Sequence, residues 1–403
     1  MADPWHVAHT VILPGATPRQ AVKAVDRIAS LDILRGIALL GMFIVHFHVR
    51  SQEITGFDEL IRVFVWRLVE TKSHGTFALL FGAGFAIQLK RAEERGDAFA
   101  TLYLRRLAVL ALFGFAAHVF FGFNVLLGYA VWGVALLVVH KWSTRALLVT
   151  ALLSVLSVPI YRLVTDSLLE LRVGPAGLEA AVQAEQTTAA AVNDALNSAE
   201  AQPSYLVLLR ARLRHMAWFY TQPFFVMPSV TLALFIAGLL MVRHRVFEHP
   251  ASHRRLLYGL AAFGVISWLA ANWLLPSFGL YSFGLLRDQW LTFSYIAGGL
   301  LLLSRFPALI NRLHPVAAAG RMALTNYLLQ IAALDLVFSG YALNLQQVRP
   351  VIGLSAALAC FAAECLFSTV WLTHFRFGPA EWLWRSLTYG QRQSMSRASP
   401  LAA

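Results

Sequence analysis

An arginine can hold an anion, and a neutral histidine can take up a proton near pH 7. The first apolar run of this chain carries both on one helical face. Asp32 and Arg35 are three residues apart, close enough to pair across one turn. His46 follows Arg35 by eleven residues, almost three whole turns, and Leu39 and Met42 continue the stripe between them. At 1.5 Å per residue the arginine and the histidine stand roughly 16 Å apart along the axis. Read as a unit, the stripe lines a polar tunnel through most of a bilayer, from Arg35 near the inner edge to His46 in the outer half. Read apart, Asp32 and Arg35 are an interfacial ion pair, and His46 is a packed histidine bonded to a neighbouring helix.

Further polar groups interrupt other apolar runs, where each is costly and needs a partner. Lys72 and His74 open the second run and can bind an anionic acceptor or neutralise an oxyanion; snorkelling to the headgroups accounts for Lys72 more easily than for His74. His118 and Asn124 flank the tight turn after the third run, either completing an outer pocket or satisfying backbone groups. Asn326 and Gln330, four apart, read first as interhelical hydrogen bonders. Asp335 and Glu364 offer counter-charges to Lys72 or His46. Cys360 and Cys365 are five apart on one run, which points them in different directions and reads as packing; no metal site is expected.

These residues are positioned by a chain that is 58% hydrophobic and only 13% charged, with a mean hydropathy of +0.62. A soluble domain carries about 25% charge, so this chain has too little polar surface to coat a globule in water. The expected fold is all-α, a polytopic transmembrane helical bundle of about ten spans. Apolar runs of spanning length are read at 31–49, 72–89, 104–121, 125–139, 146–164, 224–242, 256–275, 285–304, 322–338 and 352–372. With both ends inside, 21 of the 33 Lys and Arg residues fall in inner segments and 8 in outer ones, the bias that sets orientation. The net charge of +12 is thus topogenic and suits anionic lipid; no nucleic-acid partner is implied. The chain divides into an inner N-terminal segment (1–30, without the apolar core of a cleaved signal), a first five-span half (31–164), an outer insertion with amphipathic helices (165–222), a second five-span half (223–374) and an inner amphipathic segment and tail (375–403). Residues 57–70 are amphipathic and read as lying on the outer surface.

The run Arg35-Gly36-Ile37-Ala38-Leu39-Leu40 up to His46 resembles the arginine–ten residues–histidine motif in the first span of acyltransferase family 3, and the opening span of heparan-α-glucosaminide N-acetyltransferase. The rest of the chain resembles the YeiB family of bacterial membrane proteins. The matching segments are Phe77–Phe85, Arg105-Arg106 leading to Gly114 and His118, Gly320–Gln330, and Gly378–Gly390. Two positions depart from the YeiB pattern, His46 where Asn is usual and Asn124 where Asp is usual. Ser51 stands where the acyltransferases often carry a carboxylate, with Glu53 the nearest acid.

The resemblance implies a multi-pass protein of the bacterial inner membrane. It would move a short acyl group, expected to be acetyl, from a cytoplasmic acyl-CoA to a hydroxyl or amine of a small-molecule, lipid or glycan acceptor, with the bilayer as constant partner and oligomeric state open. Such a reaction needs a base, a group for the oxyanion and aligned substrates. His46, Arg35 and His74 are the catalytic candidates. Arg35, Arg105, Arg106 and Arg321 are candidates to hold the donor, although Arg105 and Arg106 read equally as topogenic charge. Lys72, His118, Asn124, Asn326 and Gln330 are candidates to meet the acceptor, with Asp32, Glu381 and Arg385 as braces or a lid at the inner mouth. The alternative is a transporter of a small metabolite, for which Gly298-Gly299 and Gly82/Gly84 are possible helix breaks.

Overall fold

The computed structural model describes residues 28–48, 56–96, 99–122, 124–227, 230–273, 289–345 and 347–397. Most of the N-terminal segment, the Ser51 and Glu53 positions, and the start of the run read at 285 lie outside the described residues. Helices α1 (Ala29–His48) and α2 (Phe57–Phe64) come first, and a π-helical turn (Val65–Val69) leads from α2 into α3 (Glu70–Glu93). Then follow α4 (Phe99–Phe121), α5 (Leu126–Val139), α6 (Thr144–Glu200), α7 (Tyr205–Phe219), α8 (Pro223–Val226), α9 (Val230–Arg243) and α10 (Arg254–Trp273). The chain closes with α11 (Leu291–Arg305), α12 (Ala308–Arg312), α13 (His314–Arg321), α14 (Ala323–Phe338), α15 (Pro350–His374) and α16 (Pro379–Tyr389). Among the described residues the fold is all-α.

Five of these helices are long and apolar enough to cross a membrane: α1, α4, α6, α10 and α15. Four more, α5, α9, α11 and α14, are apolar but shorter. Burial separates centre from rim. The apolar window of α1 is 72% buried and that of α10 only 17%. Exposed leucines and phenylalanines on α6, α10 and α15 have no water-compatible role and suit a hydrocarbon solvent.

Glycines let the central helices touch backbone to backbone. At the α3–α9 crossing, a Cβ on Gly82 would lie 2.6 Å from Phe235 Cα, and one on Gly238 would lie 2.7 Å from Ala83 N. Gly36 and Gly320 do the same for α1 and α13. Gly82, Gly84 and the Gly298-Gly299 pair are therefore not helix breaks: α3 and α11 run through them unbroken, and Gly299 makes room for Leu34.

The breaks fall elsewhere. The run read at 322–338 is preceded by α13, and Met322 (φ −104°, ψ 30°) separates the two half-helices. The run read at 224–242 is divided into α8 and α9. Helix α6 continues past the expected end at 164 and kinks at Gly174 (φ 74°, ψ 173°), a left-handed backbone that glycine tolerates. Pro175 then restarts the helix, as proline can at a first helical position. The limb after the kink folds back, so that Arg162 pairs with Glu185 (2.7 Å). Residues 181–188 of that limb are exposed.

Candidate functional site

A cavity of about 350 Å³ enters the bundle between α1, α3, α4, α14 and α16. Its mouth is lined by Arg35, Arg91, Arg95, Arg106, Arg321 and Arg385, against only two carboxylates, Asp32 and Glu381. That leaves a surplus of four positive charges in a partly enclosed space, a strong field for a multiply charged anion. Guanidinium groups suit phosphate because their planar forks match its oxygens. The deep end is different. It is lined by Phe77, Phe81, Leu110, Leu126, Tyr129 and Tyr327. An anionic mouth partner and an apolar arm are what this shape accepts.

One face of α3 builds much of the wall. Phe77, Phe81, Gly84, Gln88 and Arg91 recur at three- and four-residue steps and all face the cavity. A Cβ at Gly84 would meet Arg35 Nη2 at 3.4 Å, so the bare backbone there lets the Arg35 side chain lie along α3. Asp32 holds the other side of Arg35 through Nη1 at 3.0 Å.

The last helix closes the mouth. The Glu381 carboxylate caps the start of α14, accepting from Leu324 N (2.7 Å), Thr325 N (3.2 Å) and Thr325 Oγ1 (2.5 Å). These are orphan donors of a helix start, where a carboxylate is favoured. Burial pushes the Glu381 carboxyl above its ordinary range, against the pull of those hydrogen bonds. Trp384 stacks on the Arg106 guanidinium at 3.6 Å and donates from Nε1 to the Arg106 carbonyl (2.9 Å). Arg385 lies over the Phe377 ring at 4.5 Å.

The structure divides the residues singled out from sequence. Arg35, Asp32, Arg106, Arg321, Glu381 and Arg385 meet at the cavity. Arg105 does not: one step of 100° turns it outward, exposed, beneath Gly390. His46 does not line the cavity either. Leu39 and Met42, both fully buried, fill the stripe between Arg35 and His46, so among the described residues no continuous tunnel runs along it. The His46 ring donates from Nδ1 to the Met42 carbonyl (2.5 Å). His74 donates in the same way to Glu70 (3.0 Å), and its own carbonyl accepts from Tyr129 Oη (3.1 Å) at the deep end of the cavity. Lys72 is fully buried, so it does not snorkel.

The remaining polar residues hold helices together. Asn124 starts α5, accepting from Leu126 N (3.0 Å) and donating to the Gly114 carbonyl (2.9 Å). His118 meets the Tyr220 hydroxyl (3.2 Å). Asn326 donates to Ser368 Oγ (2.9 Å), and Gln330 to Glu364 (2.8 Å). Asp335 and Glu364 are therefore not counter-charges to Lys72 or His46: Asp335 pairs with Arg212 of α7, a partner in the insertion, and Glu364 with Gln330. Sequence reasoning passed over Arg91, Arg95, Tyr103, Tyr129 and Tyr327 as cavity residues. For Arg91 and Arg95 the signal was present, because Gly84, Gln88, Arg91 and Arg95 follow helical spacing.

Two family models match separate parts of the chain and leave residues 177–240 between them. Residues 27–176 match the family described as heparan-alpha-glucosaminide N-acetyltransferase, catalytic, and residues 241–391 match the protein family of unknown function DUF418. Uncharacterized protein YxaH of Bacillus subtilis (strain 168) is 28% identical over 395 residues, covering 92% of this chain and 96% of the relative. An uncharacterized 39.9 kDa protein in the amylase 3′ region of Bacillus acidopullulyticus is 29% identical, covering 91% and 95%. Uncharacterized protein YeiB of Escherichia coli (strain K12) is 27% identical, covering 90% and 96%. No solved structure matches.

Proposed function

Starting from a YeiB-like chain whose first part matches an N-acetyltransferase catalytic family, we propose that this protein is an integral-membrane acyltransferase. It takes a short acyl group, acetyl in the simplest case, from acyl-CoA at the inner face and passes it to a hydroxyl or amine acceptor. The observation that carries this reading is the cavity, with six arginines at its mouth and an apolar, aromatic deep end. Phosphates of CoA suit the first and a thioester arm suits the second. The reading includes about ten spans, both termini inside, and the inner membrane of a bacterium.

The chemistry asked of the residues is modest because a thioester is already activated. A base removes the proton of the acceptor O–H or N–H as the heteroatom bonds to the thioester carbonyl carbon. The tetrahedral oxyanion then collapses, the C–S bond breaks, and the thiolate leaves with a proton returned from the base. Arg35, braced by Asp32 and Gly84, holds a donor phosphate or carbonyl. The base is a histidine from outside the present cavity lining: His46 by the first-helix motif, or His74, whose backbone carbonyl accepts from the Tyr129 hydroxyl at the deep end.

Single alanine variants decide. With purified protein, Arg35→Ala abolishes acyl-CoA binding. Whichever of His46→Ala and His74→Ala removes the base lowers slow acyl-CoA hydrolysis by about 10²–10⁴-fold, while the other stays within tenfold. Folded wild type that binds no acyl-CoA refutes the reading. The break at Met322 beside the cavity favours a transporter as second reading, since transporters bind substrate at broken helices. Flux of a bound solute across proteoliposomes, without acyl transfer, would select it.

A further inference from the structure

The deep end of the cavity is a plate of rings rather than a loose apolar lining. Phe81 packs against Tyr129 at 5.4 Å and is backed by Phe235 at 4.7 Å with the rings 27° apart. Phe77 stacks on Tyr129 at 6.2 Å. Tyr129 and Phe235 meet edge to face at 5.3 Å. Phe235 is 0% exposed, Tyr327 3% and Tyr129 5%, and they back Phe77 and Phe81, which stay half-buried where they face the cavity.

Backbone groups hold the plate in place. The Tyr129 hydroxyl donates to the His74 carbonyl (3.1 Å), and the Tyr327 hydroxyl accepts from Val125 N (3.4 Å). Phe81 and Phe235 stand on α3 and α9 at the crossing where Gly82 and Gly238 bring the two backbones together. Rings fixed this way cannot rotate aside to admit an extra methylene, and a close-packed wall resists being pushed. At the other end the arginines fix a ligand by its phosphates. On α3, Arg91 and Phe77 are fourteen residues apart, about 21 Å. A ligand held at the mouth therefore meets the plate with an arm of set length.

We propose that this plate, centred on Phe81, is a length stop that restricts the cavity to thioesters of short acyl groups. The proposal rests on the donor reading above, and it assigns to Phe81, Phe77 and Tyr129 a specificity role. Further carbons on the acyl chain have nowhere to go unless the phosphates leave the arginines.

The test is equilibrium binding of CoA and of acetyl-, butyryl-, hexanoyl- and octanoyl-CoA to purified full-length protein in detergent. Wild type, Phe81→Ala and Phe81→Leu are compared; the leucine variant keeps the test open if the alanine variant does not fold. In wild type, affinity falls by at least about tenfold from butyryl- to octanoyl-CoA, the scale on which apolar pockets discriminate by size. Truncating Phe81 removes most of that fall, so that octanoyl-CoA gains on butyryl-CoA by about tenfold relative to wild type. Wild type that binds all chain lengths equally, or folded variants that keep the wild-type fall, overturns the length stop and leaves the donor reading standing. Folded wild type that binds neither CoA nor any acyl-CoA overturns both.

Discussion

Gly320 offers a quantitative test of how the cavity is held. It sits where α13 crosses α1, and a Cβ there would lie 2.8 Å from Gly36 N and 2.9 Å from the Asp32 carbonyl carbon, where 3.4–4 Å is ordinary contact. Both neighbours are backbone and neither can rotate away. Gly320→Ala must therefore part the two helices by roughly half an ångström or more. Overpacking of this kind costs about 1–3 kcal/mol, and the rigid backbone puts this case near the top. Alanine in place of glycine within a helix returns about 0.5–1 kcal/mol, so a net loss of about 2 kcal/mol is expected. The displacement falls on Asp32 and Arg321, both at the mouth of the cavity, so acyl-CoA affinity falls with stability. Gly298→Ala is the control: it lies in α11 with nothing within 4 Å of its Cβ, and gains the helix term alone. Thermal unfolding followed by tryptophan fluorescence, with acyl-CoA binding on the same preparations, reads both effects. Equal midpoints for the two variants, or a Gly320→Ala protein as stable as wild type, would refute the close-crossing argument.

Three further outcomes follow from the geometry. Arg106→Ala weakens acyl-CoA binding by about tenfold or more, the worth of a hydrogen bond to a charged group, whereas Arg105→Ala changes it less than twofold; titration calorimetry separates them. Glu381→Ala removes a helix cap with three hydrogen bonds and lowers unfolding stability by about 1–3 kcal/mol, while Glu381→Gln, which keeps an acceptor, loses less. Where α2 meets the start of α15, the Val351 backbone N–H, with Arg349, holds the Asp58 carboxyl below its ordinary value of 3.8. A depressed carboxylate stabilises the fold above its unfolded pKa, and that contribution is lost as pH falls below 3.8. Hydrogen-exchange protection factors at the start of α15, corrected for the intrinsic rate, should fall below pH 3.8 in wild type and show no such step in Asp58→Asn.

Much of this architecture is legible in the residues. Apolar run length places the helices, and the Asp32–Arg35 spacing anticipates the pair found at 3.0 Å. The Gly84, Gln88, Arg91, Arg95 spacing anticipates one wall of the arginine-lined mouth. What a linear pattern does not carry is which neighbour fills the space between two residues on one face. Arg35 and His46 share a stripe, yet Leu39 and Met42 pack tightly enough to close it. Nor does it carry partners far apart in sequence. Asp335 finds Arg212 across 123 residues, and Thr325 finds Glu381 across 56. The split of Arg105 from Arg106 was accessible in principle, because adjacent residues on a helix point 100° apart and only one of them can face a given cavity.

The tie from Glu381 to the start of α14, with Trp384 on Arg106, has a consequence for biosynthesis. A membrane chain is laid down from its N-terminus, and early segments can settle before late ones exist. Arg35, on the first helix, waits for nearly the whole length of the chain before Glu381, Trp384 and Arg385 arrive. Five of the six mouth arginines are thus in place before the helix that braces them and adds the sixth. A product cut short before residue 379 would carry most of the apolar bundle and lack the piece that completes its charged entrance. The cavity's charged entrance is thus assembled from segments made early and late, and the late one carries the helix cap, the ring on Arg106 and the sixth arginine.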